Sequence, residues 1–128
     1  MSVVEILDAI CDPRSLKLFE TISVKGLNSE DLSVQLKLSR KEFYSRMSRL
    51  IRLGIVKRKN KKHFLTAFGK IVYDGHETIK KAAENDYKLR AIDSMDLSSG
   101  ITKYERSRLI DSLLDDKKIK EIFLRDLS

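Results

Sequence analysis

The sequence predicts a mainly α-helical protein with one small β-hairpin. Apolar residues recur at helical spacing through most of the 128 residues, and helix-capping residues stand before several of these segments. The strand candidates are two four-residue segments, 55–58 and 63–66, joined by a turn near Asn60. These three observations favour helical packing around one hairpin.

Three short helices are predicted before residue 37. Ser2 can cap an apolar helix over residues 3–10. A second helix begins after Asp12, because Pro13 suits the first helical position, where its missing N–H costs nothing. The third covers residues 29–36, with Asn28 or Ser29 as its cap. We expect their inward-facing residues to be Leu16, Phe19, Ile22, Leu32 and Leu36.

The fourth helix, residues 40–53, has the clearest ends. Ser39 and Glu42 form a capping box at its start, and Gly54 is a suitable stop. Its predicted buried face consists of Phe43, Met47, Leu50 and Ile51. This helix and the hairpin after it contain ten of the 26 Lys and Arg residues of the chain.

The rest of the chain predicts further helices. Thr66 can cap a long helix that extends to residue 92, and residues 93–100 predict a linker. Thr102 and Glu105 form a second capping box, and a last helix is expected over 117–127. We therefore predict a domain over 1–92, a linker over 93–100 and a helical appendage over 101–128.

The positive charge is local. Residues 37–63 contain eleven Lys and Arg and one acid, Glu42, for a charge of +10. The other residues carry −3, and the chain as a whole +7. Because solubility alone would not require the charge to lie in one block, this distribution predicts a surface that binds a polyanion.

Three stretches resemble a known protein class. "DPRSLKLFETI" is similar to the opening of ArsR-type regulators, and "SEDLSVQLKLSRKEFYSRMSRLIRLGIV" to the two-helix reader of ArsR- and MarR-like proteins. "KKHFLTAFGK" resembles the closing strand of archaeal winged-helix regulators. The likeness covers about residues 10–92. It implies a winged helix-turn-helix transcription regulator with extra C-terminal helices, whose reader helix 40–53 enters the major groove.

The resemblance and the helix geometry together predict the DNA-binding residues. If the apolar face of the reader helix is buried, its outward side combines cations with small hydroxyls, as base reading requires. The cationic hairpin, residues 57–63, is then the basic wing, which contacts the DNA backbone or minor groove. The predicted contact residues are Arg40, Lys41, Tyr44, Ser45, Ser48, Arg49, Arg52, Lys57, Arg58, Lys59, Asn60, Lys61 and Lys62.

The partner is expected to be double-stranded DNA, bound by a homodimer. The apolar residues 3–10, the long stripe in 67–92 and possibly 102–127 are the predicted dimer contacts. The alternative is a winged-helix module that binds another protein in a transcription or other assembly. RNA binding is less well supported, because exposed aromatic residues on a sheet are not predicted.

Other function classes lack their motifs. The sequence contains no phosphate-binding glycine loop, nucleophile motif or metal-ligand spacing, so we expect no enzyme, metal or cofactor. Neither a signal peptide nor an apolar run long enough to cross a membrane is predicted, which favours the cytoplasm. The single cysteine, Cys11, fits a reducing compartment and is expected to be a small buried hydrophobe.

Overall fold

The computed structural model describes residues 2–24, 27–97 and 100–125. Within those ranges it contains eight helices and three strands. The elements are α1 Val3–Ile10, α2 Pro13–Val24, β1 Leu27–Asn28, α3 Ser29–Leu36, α4 Arg40–Arg52, β2 Val56–Lys59, β3 Lys62–Leu65, α5 Ala67–Glu84, α6 Asp86–Leu97, α7 Lys103–Leu113 and α8 Lys117–Leu124. The predicted class, mainly helical with a small hairpin, is confirmed, and the order of elements is winged-helix-like.

The predicted helix caps hold their helices in place. The hydroxyl of Ser39 accepts a hydrogen bond from the Glu42 amide, and Thr102 does the same for Glu105. Asn28 caps α3 through the Asp31 amide. Each cap satisfies a backbone donor that the first turn of a helix leaves unpaired.

The hairpin is part of a three-stranded antiparallel sheet with strand order β1-β3-β2. The predicted hairpin strands are present, and their register pairs Val56 with Leu65 and Lys59 with Lys62. Strand β1 was not predicted, because two residues are too few to show a strand pattern. It pairs with β3 and so attaches the segment before α3 to the hairpin.

Thr66 connects the hairpin to the end of α4. Its hydroxyl caps α5 by accepting from the Gly69 amide at 2.8 Å, and it donates to the Gly54 carbonyl oxygen at 2.5 Å. Gly54 has a φ of 76°, which glycine adopts without steric strain and which ends α4 as predicted. The orientation of the hairpin relative to α4 is therefore set at the residues that join them.

The chain divides into two compact units, Met1–Asp74 and Gly75–Ser128. The core of the first unit contains Phe19, Leu32, Phe43, Met47 and Leu50, all of which were predicted to face inward. It also contains Leu18, to which the sequence pattern assigned no face. A smaller core in the second unit contains Ile92, Ile110, Leu114 and Ile119. The boundary predicted at residue 92 differs from this division.

Four local expectations were wrong. Ile51 is 41% exposed, because it lies about 70° around α4 from the mean direction of Phe43, Met47 and Leu50. Cys11 is exposed at the end of α1, where its thiol donates to the Asp8 carbonyl oxygen at 3.3 Å. The helix predicted over 67–92 ends at Glu84, and α6 extends to Leu97, within the predicted linker. Residues 98 and 99 of that linker and 126–127 of the last predicted helix lie outside the described residues.

Asn85 explains the break between α5 and α6. Its side-chain amide donates to the Lys81 carbonyl oxygen at 2.8 Å, and its backbone amide is shared between the Lys81 and Ala82 carbonyls. An asparagine that binds the preceding turn in this way competes with the regular helical bonds.

Among the described residues, none of the helices is long and apolar enough to cross a membrane.

Candidate nucleic-acid interface

The exposed side of α4 is a ridge that combines two cations and two hydroxyls. Its opposite side packs Phe43, Met47 and Leu50 into the core, which turns the remaining residues outward. The outward residues nearest the centre of the exposed side are Lys41, Ser45, Ser48 and Arg52, here called the α4 ridge, and all four are exposed. No ion pair engages them within the described part of the chain.

One flank of α4 is attached to α1 and α2 by three ion pairs. Arg49 Nη2 lies 2.5 Å from Asp8 Oδ2, and Arg46 Nη2 lies 3.4 Å from Asp12 Oδ2. Glu42 pairs with Arg14 of α2. The predicted contact residue Arg49 is therefore already bound by an acid of the same protein, although its side chain remains 37% exposed.

These pairs change the titration of the acids. The hydrogen bond and charge of Arg49 lower the pKa of Asp8 below its ordinary value. The pKa of Asp12 is also lowered, first by a hydrogen bond from Ser15 and further by Arg46. Both carboxylates are ionised at neutral pH, so they attract the two arginines and repel any phosphate nearby.

The basic wing is cationic on one side and buried on the other. Val56, His63 and Leu65 pack inward, whereas the turn and the side chains around it are exposed. Its exposed residues are Lys57, Arg58, Lys59, Asn60, Lys61 and Lys62. Like the α4 ridge, these cations have no carboxylate within ion-pair distance in the described residues.

The wing and α4 border a common cleft. Tyr44 of α4 lines this open cleft of about 480 Å³ together with the wing residues Arg58, Asn60, Lys61 and Lys62, and the start of α3 forms the remainder. Beneath it, the ring of Phe43 meets the ring of His63 edge to face, with centroids 6.2 Å apart. One flank of α4 thus adjoins the wing, while the opposite flank adjoins α1 and α2.

The structure brings together some of the predicted contact residues more closely than others. Tyr44 and four wing residues share the cleft, and the α4 ridge has its four members on one side of the helix. Arg40, Lys57 and Lys59 are exposed nearby in the chain but do not line the cleft. Arg49 differs from all of these, because its guanidinium is paired with Asp8.

The sequence pattern did not identify the residues that elements other than α4 and the wing contribute to this surface. Asp8 and Asp12 lie 41 and 34 positions before their arginine partners, and no local spacing signals such pairs. Asn28, Ser29 and Glu30 line the cleft because β1 pairs with β3. Among the described residues that line this cleft, Glu30 is the one acid.

The first unit carries the whole net charge of the protein. Residues 1–74 contain fifteen Lys and Arg and eight Asp and Glu, for +7, whereas residues 75–128 contain eleven of each. A polyanion is consequently attracted to the unit that contains α4 and the wing.

Comparisons with known proteins support the fold of this chain and no more specific property. No family model matches the chain, and no curated protein matches it. Among solved structures, the activation domain of the phage T4 transcription factor MotA is similar, with a TM-score of 0.52 and 20% sequence identity. The similarity covers 68% of this chain and 96% of that domain. Membership of the ArsR/MarR-like regulators stays a prediction.

Proposed function

We propose that the protein is a duplex DNA-binding transcription regulator. In this proposal α4 lies in the major groove, and the basic wing contacts the adjacent backbone or minor groove. The observation that carries it is the set of exposed cations on the α4 ridge and the wing, none of which has an ion-pair partner among the described residues, together with the cleft that Tyr44 of α4 shares with the wing. A cytoplasmic location belongs to the same proposal.

The two surfaces suit different parts of the duplex. Ser45 and Ser48 are small, so the backbone of α4 can approach the base edges closely, while Lys41 and Arg52 lie at either end of the ridge. The wing offers long cations and few groups that discriminate bases, which suits phosphate. Phosphates would also relieve the mutual repulsion of five cations in residues 57–62.

A charge reversal in the wing tests the proposal. Lys61→Glu replaces a phosphate-binding cation by an anion, so we expect duplex affinity at about 0.1 M salt to fall at least tenfold. Lys17→Glu is the matched control, because it changes net charge equally at an exposed position of α2 outside both surfaces. Its affinity should stay within about twofold of the unaltered protein. Equal losses in the two variants would refute a specific role for the wing.

The proposed DNA-binding form is a homodimer. On α1 the side chains of Val3 and Val4 are 69% and 76% exposed, and Ile71 and Ile79 on α5 are exposed too. Contiguous exposed apolar residues on a short helix are typical of contact surfaces. A dimer would also extend a small footprint to two half-sites, roughly 34 Å apart. Residues 102–127 remain a possible further contact in this proposal, with 126–127 outside the described residues.

Sedimentation equilibrium tests the dimer. We expect twice the monomer mass at about 50 µM protein and a shift toward monomer for Val4→Lys, which places a charge on the exposed face of α1. Lys17→Glu again serves as the control and should leave the mass unchanged. Monomer mass for the unaltered protein under these conditions would contradict the proposal.

A second candidate function is a winged-helix module that binds another protein. Two observations favour it: the fold is similar to an activation domain of a transcription factor, and three ion pairs engage one flank of α4. In that case the basic wing would meet an acidic protein surface. Absence of binding to any duplex at physiological salt, in a protein shown to be folded, would favour this candidate over DNA binding.

A further inference from the structure

We propose that Asp8 determines the sequence specificity of this interface. Its carboxylate holds the Arg49 side chain in position to bind a base edge and keeps it from binding the DNA backbone. The inference rests on the proposed function, because it assigns a role within the same DNA-binding surface. It concerns a residue outside α4 and the wing, on a helix that the sequence pattern links only to packing and dimer contacts.

The Asp8–Arg49 pair lies at the edge of the exposed side of α4. Arg49 follows Ser45 by four residues and precedes Arg52 by three, so it is a neighbour of both on the helix surface. The side chains of Arg49 and Asp8 are 37% and 59% exposed. A ligand that covers the α4 ridge would consequently meet this ion pair at the border of the ridge.

The other two pairs on this flank differ. Arg46 is less exposed, its distance to Asp12 is longer at 3.4 Å, and its Nε is buried without a hydrogen-bond partner in the described structure. Glu42 belongs to the first turn of α4, where its pairing with Arg14 attaches that turn to α2. Of the three, the Asp8–Arg49 pair is the one whose arginine adjoins two members of the α4 ridge.

One hydrogen bond restrains an arginine without using up its donors. The guanidinium has five N–H groups, and the contact with Asp8 involves Nη2. The remaining donors can still bind the O6 and N7 acceptors of guanine as a pair. A restrained side chain also loses less conformational entropy when it binds.

The carboxylate also disfavours a competing arrangement. Without it, a long and flexible arginine beside a duplex can bind a phosphate, which adds affinity but carries no sequence information. Arg49 lowers the pKa of Asp8, so the acid stays ionised at neutral pH and repels the backbone. Asp8 therefore reduces affinity for arbitrary DNA and preserves discrimination between sequences.

Asp8→Asn tests this role, and a second variant with the same change in charge serves as its control. The probes are a duplex selected from a random pool and an unrelated duplex of the same length. For Asp8→Asn we expect about threefold tighter binding of the unrelated duplex. Its salt slope should steepen by about 0.9, the contribution of one further phosphate contact. The affinity ratio between the two duplexes should fall about tenfold, within the range of one bidentate base contact.

Asp31→Asn is the matched control, because Asp31 is an exposed acid of α3 that lies outside the proposed dimer contacts, does not line the cleft and has no arginine partner in the described structure. It should leave the slope and the ratio unchanged. A double-mutant cycle completes the test: in an Arg49→Ala background, Asp8→Asn should have no further effect on the ratio. Thermal unfolding of each variant separates these effects from a loss of folded protein.

Several outcomes would overturn the inference. They are an Asp8→Asn variant that behaves like Asp31→Asn, an equal change for both duplexes, and an unaltered protein that binds duplexes without sequence preference. An unaltered protein that binds neither duplex would instead refute the proposed function itself. The two failures are therefore distinguishable.

Discussion

His63 is a buried ionisable side chain in the middle of the hairpin. It is 3% exposed, its ring meets that of Phe43, and its Nδ1 has no hydrogen-bond partner in the described structure. Burial lowers the pKa of His63 below its ordinary value of 6.5, and the nearby charge of Arg58 lowers it further. The folded protein therefore keeps this imidazole neutral at pH values where the unfolded chain begins to protonate it.

We predict that stability falls as the pH decreases below about 6.5. In that range the unfolded chain binds a proton that the folded protein does not, so the free energy of unfolding decreases by up to about 1.4 kcal/mol per pH unit. The loss stops once the pH is below the lowered pKa of His63. Urea unfolding at pH 7.5 and at pH 5 measures this decrease in the free energy of unfolding. His63→Leu should remove most of this difference, and an unchanged difference would contradict the assignment.

Gly69 and Gly75 have different roles in the same helix. A Cβ at Gly69 would overlap the carbonyl oxygen of Ile55, whereas a Cβ at Gly75 would meet nothing within 4 Å. Gly69 thus permits α5 to approach the segment that enters the hairpin. The sequence alone shows two glycines in one predicted helix and does not distinguish them.

We predict opposite effects of alanine at these two positions. Gly69→Ala should lower the free energy of unfolding by about 3 kcal/mol, because backbone atoms must move to accommodate the methyl group. Gly75→Ala should raise it by about 1 kcal/mol, the usual difference between the two residues in a helix interior. Chemical denaturation measures both. A tolerated Gly69→Ala would contradict the close approach of α5 to Ile55.

At the scale of elements, the turn of the hairpin combines strain with charge. The register of β2 and β3 leaves Asn60 and Lys61 as a two-residue turn, with φ values of 53° and 65°. Both central residues of such a turn need positive φ, which asparagine tolerates and glycine prefers. Lysine at the second position is sterically unfavourable, so the chain retains a cation there at some cost in stability.

Lys61→Gly should therefore separate stability from binding. We expect the free energy of unfolding to rise by about 1 kcal/mol, because glycine relieves the strain. Duplex affinity should fall, with a salt slope shallower by about 0.9, because one phosphate contact is lost. Thermal unfolding and a salt series of binding isotherms measure the two effects. Unchanged binding would mean that Lys61 does not contact the ligand.

Elements defined by local signals were predictable from the sequence. Capping residues and glycine stops are local, so the start and end of α4 and the starts of α3 and α7 follow from a few neighbouring side chains. Strand β1 and the flank of α4 that holds Arg49 depend on contacts between residues distant in the chain. The composition of the wing was predictable, whereas the acids that engage α4 were not.

At the scale of the whole molecule, the two compact units have separate cores. Among the described residues, no side chain belongs to both hydrophobic clusters. The long apolar stripe predicted over 67–92 contributes to each, because Val72 packs in the first cluster and Leu89 in the second. A periodic stripe indicates that residues share a helix face, but it does not indicate which core they join.

We predict that a core substitution in the second unit leaves the first unit folded. Ile110 is fully buried, so Ile110→Ala should lower the stability of residues 75–128 by about 2–5 kcal/mol. Amide hydrogen exchange should then increase in α7, while α4 and β3 keep their protection. Faster exchange in both units by the same factor would show that they unfold together.

In the proposed function, α4 and the basic wing bind duplex DNA mainly through phosphate contacts. Its most direct test is the duplex affinity of the full chain measured over a series of salt concentrations. If six cations engage phosphates, the logarithm of the binding constant should fall with the logarithm of salt concentration with a slope of about −5. A slope near zero, or no duplex binding at low salt, would contradict the claim.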